Sequence, residues 1–468
     1  MAHWTFLDWL AGVEHELLLF ASVFLLIGSV DELLVDVSWA WLRLTGRAKT
    51  RRIERRRLSS QELTGLAALF IPTWQEAQVV GFTVAHALAA WPQAKLRIYV
   101  GCYSNDTETI EAVIRGSCGD PRLRLVVHEQ KGPTTKADCL NRLYTALVAD
   151  ERRSGESCRL ILLHDAEDMV DPAALVLMDR ALNDFDFVQL PVLPEPRPGR
   201  WVGNHYCDEF AEAHGKAMVV REAVGAALPG AGVGCGFARP LLAQIDALGG
   251  GIGPFPVESL TEDYELGMTI KVIGGRSHFL RARGEDGRLV ATRAYFPARI
   301  DTAVRQKARW LHGIALQGWD RLGWSRGVGE VWMRARDRRG PLSALVVLTG
   351  YALLAVAGLL WGARLLDLAP PSEPDEIIFA LLAANFVGLA WRAAMRFAFT
   401  AREYGWAEGL RSVLRIPLAN IIAIMATRRA IAAYVRWIFS GASIWDKTDH
   451  DEHPALLGAV PQIRVNLA

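Results

Sequence analysis

The 468 residues carry 52 Lys and Arg against 51 Asp and Glu, a net charge of +1, so the balance implies no nucleic-acid-binding surface. At 51% hydrophobic residues the chain sits at the upper edge of globular usage, with room for two or three domains, and fits an intracellular enzyme with a membrane part. The six cysteines all fall in the middle of the chain without a CxxC pair, which excludes an extracellular disulfide framework and reads as reduced, partly buried thiols.

Residues 1–16 contain no Lys or Arg and no small-residue cleavage site, a poor fit to a signal peptide. Residues 17–30 are strongly apolar, and the pattern continues through Leu33, Leu34, Val35, Trp39, Ala40 and Trp41. This predicts a transmembrane helix, with a buried helix of a soluble domain as the alternative. Asp31, Glu32 and Asp36 then face other helices or an aqueous groove, because intramembrane charge is costly. The basic cluster at 43–57 follows directly, so the positive-inside rule puts the next domain in the cytoplasm and the N-terminus outside.

From residue 63 to about 296 strand-like and helix-like stretches alternate, the pattern of a largely parallel α/β sheet. Strands are predicted at 67–72 (AALFIP), 96–100 (LRIYV), 123–127 and 159–163. Each ends in a polar cluster: Thr73 to Glu76, followed by an amphipathic helix to about Trp91; Gly101 to Asp106; Lys131 to Asn141; and His164 to Asp171. Nucleotide sites are commonly assembled from several such strand-end loops. Lys136, after a Gly-Pro turn and at a helix start, suits a phosphate or sugar contact, or a solvated helix position. Asp165 and Glu167 offer hard oxygen ligands for Mg²⁺ or Mn²⁺ shared with a diphosphate. Read blandly, they form an acidic turn before the helix that Asp171-Pro172 opens.

Residues 204–214 (NHYCDEFAEAH) lack a recognised zinc spacing and suit an amphipathic helix with Phe210 and Ala211 inward. The glycine-rich 229–239 reads as a flexible loop whose backbone approaches a sugar, not as a dinucleotide turn. Ser259 or Thr261 would cap a helix carrying Glu262 and Asp263, and a carboxylate fixed there suits a general base. On a helix at 305–310, Gln306, Arg309 and Trp310 share a face able to stack on a sugar and pair with a diphosphate.

Residues 342–361 read as a span, 369–376 as an outside acidic loop and 377–391 as the return, with Arg392, Arg396 and Arg402 inside. Residues 413–439, interrupted by Arg415, Arg428, Arg429 and Arg436, read as an interfacial or re-entrant helix. The tail with Trp445 to His450 would lie near the active-site mouth and gate it. The parts are residues 1–58, an N-terminal transmembrane helix and basic linker; 59–338, the α/β domain; 339–410, a transmembrane pair; and 411–468, an interfacial helix and cytoplasmic tail.

In order and approximate spacing, Thr73 to Glu76, Lys136 to Asn141, Asp165-Ala166-Glu167, Thr261-Glu262-Asp263 and Gln306 to Trp310 resemble the membrane-bound family 2 glycosyltransferases. That group includes cellulose, hyaluronan and poly-N-acetylglucosamine synthases. The combination of a DxD-like pair, TED and QxxRW is highly specific and covers about residues 60–320. Within the group, HDAED, DEFAEAH, SLTEDYELG and WDKTDH look most like the glycosyltransferase part of the adsorption-protein-B (NfrB) type.

The resemblance implies a Rossmann-like GT-A domain in the cytoplasm, about three transmembrane helices in the bacterial inner membrane, and interfacial helices. It implies a nucleotide-diphosphate-sugar donor, by analogy a UDP-N-acetylhexosamine, and an inverting single displacement. Asp165 and Glu167 would bind Mg²⁺ or Mn²⁺ and the diphosphate, and Asp263, beside Glu262, would deprotonate the acceptor. Gln306, Arg309 and Trp310 would hold acceptor and pyrophosphate, with Thr73, Glu76 and Lys136 near the nucleotide. Two departures stand out: Gly101-Cys102 replaces the usual Asp-Asp, leaving Asp106 as the nearest acid for base recognition, and Glu167 replaces the second Asp of DxD. The implied partners are a growing polysaccharide or lipid acceptor, membrane lipid and a periplasmic or outer-membrane export partner; where the group carries a C-terminal cyclic-di-GMP domain, the expectation is either a separate regulatory subunit or no such regulation. The other readings are a single transfer to a polyprenyl phosphate and a catalytically silent scaffold or phage-receptor component.

Overall fold

Four near-continuous apolar runs become parallel neighbours in one sheet; the three inner ones are covered on both faces and almost wholly buried, while the edge run, Leu123–His128, stays half-exposed. A computed structural model describes residues 5–369, 376–440, 453 and 454. Its main sheet has seven strands: β1 Leu66–Pro72, β2 Leu96–Tyr103, β3 Leu123–His128, β4 Cys158–Leu163, β5 Phe187–Gln189, β6 Cys235–Ala238 and β7 Ser277–Phe279. Their spatial order is β3-β2-β1-β4-β6-β5-β7, with β6 antiparallel to both neighbours and the other pairings parallel. The chain order reverses between β1 and β4, and that divergence opens a crevice at their carboxyl ends.

Alternate residues of β1 feed two cores. Leu69 and Ile71 pack with Val84, Val113 and Leu175 on one face; Ala68 and Phe70 pack with Leu140, Leu242 and Leu266 on the other. Truncating a fully buried Leu69 to Ala costs about 2–5 kcal/mol. The helix expected to be amphipathic, Val80–Ala90, is buried almost all round, because a second helix, Thr107–Ser117, covers the side away from the sheet. The two cross where a Cβ on Gly116 would lie 2.2 Å from the Gly81 carbonyl oxygen, so this contact requires glycine. β2 also outruns its prediction: Gly101 and Cys102 remain in the ladder opposite Val126 and Val127.

Four helices are long and apolar enough to cross a membrane: Phe6–Leu44, Gly340–Leu365, Glu376–Tyr404 and Ile416–Phe439. The acids of the first do face other helices. Asp31 and Glu32 pair with Arg336 and Arg339, Glu32 also with Arg392, and Asp36 with Lys216. The indole nitrogens of Trp332 and Trp391 donate to Asp31 and Asp36.

Ile416–Ser440, expected to be interfacial or re-entrant, is one continuous helix. It packs along the helix Ile300–Leu311 and the π-helical turn after it, through Ile422 at Val304 and Ala426 and Ala430 at Ala308. Further on, Tyr434 donates to Asp320 and sets its ring against His312. Both of its ends therefore lie against segments that continue the α/β domain. Helix Trp201–Glu212 departs from its amphipathic reading. Ala211 is buried as expected, but Asp208 and Glu212 are buried too and Glu209 is half-buried, with Asp208 bidentate to Arg415 (2.7 and 2.8 Å), Glu209 on Lys307 (2.6 Å) and Glu212 on Lys216 and Arg392 (2.8 Å each). The expected outside loop (370–375) and gating tail (445–450) fall outside the described residues.

Candidate active site

A cavity of about 330 Å³ opens at the carboxyl ends of β1 and β4. Glu76, Lys136, Asp165, Glu167, Glu262, Asp263, Gln306, Arg309 and Trp310 all line it, so nine of the eleven expected site residues meet in one place.

Lys136 stands at the centre. Thr135 caps its helix by accepting the Asp138 N–H at 3.1 Å, which fixes the first turn. The Lys136 ammonium lies 2.5 Å from Asp165 Oδ1 and 3.8 Å from Glu262 Oε1. Burial opposes its charge, but Asp165, Glu262 and Asp263 together raise its pKa. Burial also raises both acids of the TED motif, Glu262 to about 7, and Lys136 offsets only part of this. Arg309 is a weaker counterweight on Asp263.

Asp165 sits in an irregular turn held by its neighbours. The buried Asp168 carboxylate accepts the Asp165 N–H at 2.9 Å and meets His164 Nδ1 at 2.9 Å, and Thr83 Oγ1 donates to the Ala166 carbonyl. The glycine-rich 229–239 stretch lines the cavity through Gly230, Ala231 and Val233 and also packs against Asp263. A Cβ on Gly230 would lie 2.7 Å from the Asp263 carbonyl oxygen, and one on Gly232 (φ +73°) 2.5 Å from Asp263 Oδ2. The same stretch then becomes β6, which glycine content had concealed.

Helix Glu262–Val272 begins at Thr261 without the expected side-chain cap. Ser259 instead donates to Glu265 Oε1 at 2.8 Å and accepts the Thr261 N–H. Tyr264, next to Asp263, donates to Asp337 Oδ2 at 2.8 Å, tying this helix to the one that precedes the second span.

Gln306, Arg309 and Trp310 share the cavity face of Ile300–Leu311 as their spacing predicts. Gln306 Oε1 has no hydrogen-bond partner among the described residues. Trp310 joins Tyr206, Phe210 and Phe296 in an aromatic group that extends the cavity toward Ile422.

Thr73 and Asp106 do not line the cavity. The Thr73 hydroxyl donates to the Gly101 carbonyl (2.7 Å), and the buried Asp106 carboxylate accepts the Gln75 N–H (2.5 Å), so both tie the end of β1 to the end of β2. Sequence reasoning passed over Trp74, which lines the cavity edge-on to Tyr103 at 5.2 Å. The signal was its place in the same loop as Glu76. Nor did it see His164 and Asp168 as a pair; their i, i+4 spacing was visible but does not announce a hydrogen bond.

The donor set suits a hard cation. Asp165 and Glu167 lie two residues apart, and among the described residues no group of three His, Cys, Asp or Glu side chains could hold a metal by itself. Mg²⁺ and Mn²⁺ fit such a site because they take one or two carboxylates and complete their shell with phosphate oxygens and water.

The comparisons agree with this geometry. The chain is 33% identical over 98% of its length to bacteriophage adsorption protein B of Escherichia coli (strain K12), and equally to bacteriophage N4 adsorption protein B of Escherichia coli O157:H7. It spans 65% of the length of these curated relatives. The fold is similar to the mannosyltransferase PcManGT of Pyrobaculum calidifontis, solved with GDP-Man and Mn²⁺, at 18% identity and TM-score 0.53 over 85% of this chain and 98% of that one. Residues 65–313, more than half of the chain and the whole of the cavity-bearing domain's sheet, match the glycosyltransferase-like family 2, and the chain belongs to that family.

Proposed function

We propose that the chain is an inverting glycosyltransferase that moves a sugar from a nucleotide diphosphate, a UDP-N-acetylhexosamine, onto a growing surface polysaccharide at the bacterial inner membrane, with the cavity in the cytoplasm. One observation carries this reading: Lys136, Asp165, Glu167, Asp263, Gln306, Arg309 and Trp310 line a single cavity whose aromatic end borders Ile416–Ser440. The relatives' association with phage adsorption supports a surface product. PcManGT's complex with a nucleotide sugar and Mn²⁺ supports the donor class. A polymer product would require an export partner.

Asp165 and Glu167 would hold Mg²⁺ or Mn²⁺, which when bound supplies positive charge for the departing diphosphate. Lys136 and Arg309 add fixed positive charge to the lining of the cavity. Asp263 takes the acceptor hydroxyl proton. That oxygen forms a bond to the anomeric carbon as the carbon–diphosphate bond breaks on the opposite face, with inversion. Glu262 stabilises the protonated Lys136 beside it. Trp310 and its aromatic neighbours stack on the acceptor sugar, and Gln306 Oε1 accepts from one of its hydroxyls.

The test is UDP release by detergent-solubilised protein against a panel of UDP-sugars with Mg²⁺ or Mn²⁺, wild type beside Asp263→Asn. Metal-dependent release from one donor, lost in the variant, with a long product by size, is the expected outcome. A product that partitions into organic solvent would replace the polymer by a single lipid-linked transfer. No turnover of any donor by the wild type would favour the silent scaffold.

A further inference from the structure

We propose that His453 latches the acidic turn from outside the cavity as a positioning residue for Asp165 and Glu167; this rests on the transferase reading. His453 is fully buried, 370 residues along the chain from the threonine it meets. Its ring stacks on Phe82 (centroids 6.0 Å apart, 23° between planes), and its Nε2 lies 3.2 Å from Thr83 Oγ1.

The direction of these bonds follows from the donor count. The Thr83 hydroxyl has one proton, and its nearest acceptor is the Ala166 carbonyl at 2.5 Å. A carbonyl cannot donate, so Thr83 donates there and accepts from His453, which must carry its proton on Nε2. Ala166 is the residue between Asp165 and Glu167. The His453 ring also meets the main chain of Asp168, whose carboxylate holds the Asp165 N–H. One turn further along the same helix, His86 Nε2 contacts the Val170 carbonyl at 2.9 Å.

Residues 164–168 lie beyond the end of β4, where two backbone bonds, from His164 to Phe70 and from Asp168 to Asp165, are joined by a few side-chain bonds in fixing their path. Asp168 grips the turn from within. Thr83 grips it at Ala166, and His453 in turn fixes Thr83. Groups of this kind, one step behind the ligands, orient them and set their affinity. The docking of His453 therefore helps to shape the carboxylate pair.

The experiment uses the full chain in detergent with UDP. Mn²⁺ binding is followed by the electron paramagnetic resonance of the free ion, for wild type, His453→Ala, Thr83→Val and Thr83→Ser. Loss of the latch is expected to weaken Mn²⁺ binding on the order of ten-fold in His453→Ala and Thr83→Val, the low end for outer-shell partners. Thr83→Ser, which keeps the hydroxyl, binds as wild type does. Thermal unfolding of the same samples separates this from a general loss of structure, which would not spare metal-free stability. If His453→Ala does not fold, the Thr83 pair decides. Wild-type affinity in both His453→Ala and Thr83→Val, or in Thr83→Val alone where only it folds, overturns the latch and leaves the transferase reading intact. Absence of Mn²⁺ binding by the wild type overturns the metal site and the latch together.

Discussion

At the junction between the α/β domain and the spanning helices, Asp31, Glu32, Asp36 and Glu212 meet Lys216, Arg336, Arg339 and Arg392, four acids and four bases, each in at least one ion pair. In the cavity, Asp165, Glu262 and Asp263 crowd one lysine. Both sets are largely withdrawn from water, yet only the first is balanced. A balanced buried set recovers its desolvation cost through internal pairs and fixes how helices register. An unbalanced set leaves carboxylates that hold protons or attract a cation, which is the state that chemistry uses. Charge count therefore separates architecture from function here, where burial alone does not.

Variants at the two places should fail differently. Asp263→Asn is expected to lower UDP release by roughly 10²–10⁴-fold, the range for loss of a general base, with thermal unfolding unchanged. Among the described residues, Lys216→Met removes the ion pair of the buried Asp36, which keeps only the Trp391 indole, and leaves Glu212 with Arg392 alone. It should cost about 3–5 kcal/mol of stability, read from unfolding in detergent, while the folded fraction keeps its donor affinity. A Lys216→Met protein that unfolds normally but does not turn over would collapse the distinction and make the junction part of the catalytic apparatus.

The sequence displayed the cavity better than the junction, for a physical reason. β1 to β4 are continuous apolar runs that stop at polar residues, so strand and strand-end loop are both visible. Asp165, Lys136, Asp263 and Arg309 come from such stops or from short motifs on predicted helices. β5 and β7 have only three residues each, and β6 is half of a glycine-rich stretch, so none has enough length for alternation to show. The pairs Asp208–Arg415 and Asp36–Lys216 join residues 207 and 180 apart and leave no local pattern. For that reason DEFAEAH read as an amphipathic helix with only Phe210 and Ala211 inward. Thr73 and Asp106 stand at the expected strand ends without lining the cavity: each bonds the backbone of the neighbouring strand end, Thr73 at Gly101 and Asp106 at Gln75, and such a bond leaves no local pattern.

A smaller effect is expected from Gly232→Ala. Its φ of +73° disfavours a side chain, and the new Cβ would meet Asp263 Oδ2 at 2.5 Å, displacing the base without removing it. Turnover should fall by up to about 100-fold, as for a misplaced reacting group, with Mn²⁺ binding retained. Equal losses of turnover and metal binding would mean that the loop supports the whole cavity.

The finest test of the charge contrast is the pH dependence of kcat/KM, which reports the base in the free enzyme. Asp263 must be ionised to accept a proton. Burial raises its pKa and Lys136 offsets only part of that, so the folded protein keeps the proton at a pH where a solvent-exposed aspartate, near about 3.9, has lost it. Activity should therefore fall with decreasing pH through a value above the ordinary aspartate range. Removing Lys136 with a Met substitution takes away charge that favours the ionised form, so the residual activity should lose its acid limb at still higher pH. Arg309→Met should move it the same way by less. Arg339→Met removes an equal charge from the balanced junction and should leave the limb where it was. A limb that moves with Arg339 as far as with Lys136 would show that the cavity responds to the protein's total charge, and the local imbalance around Asp263 would lose its explanatory role.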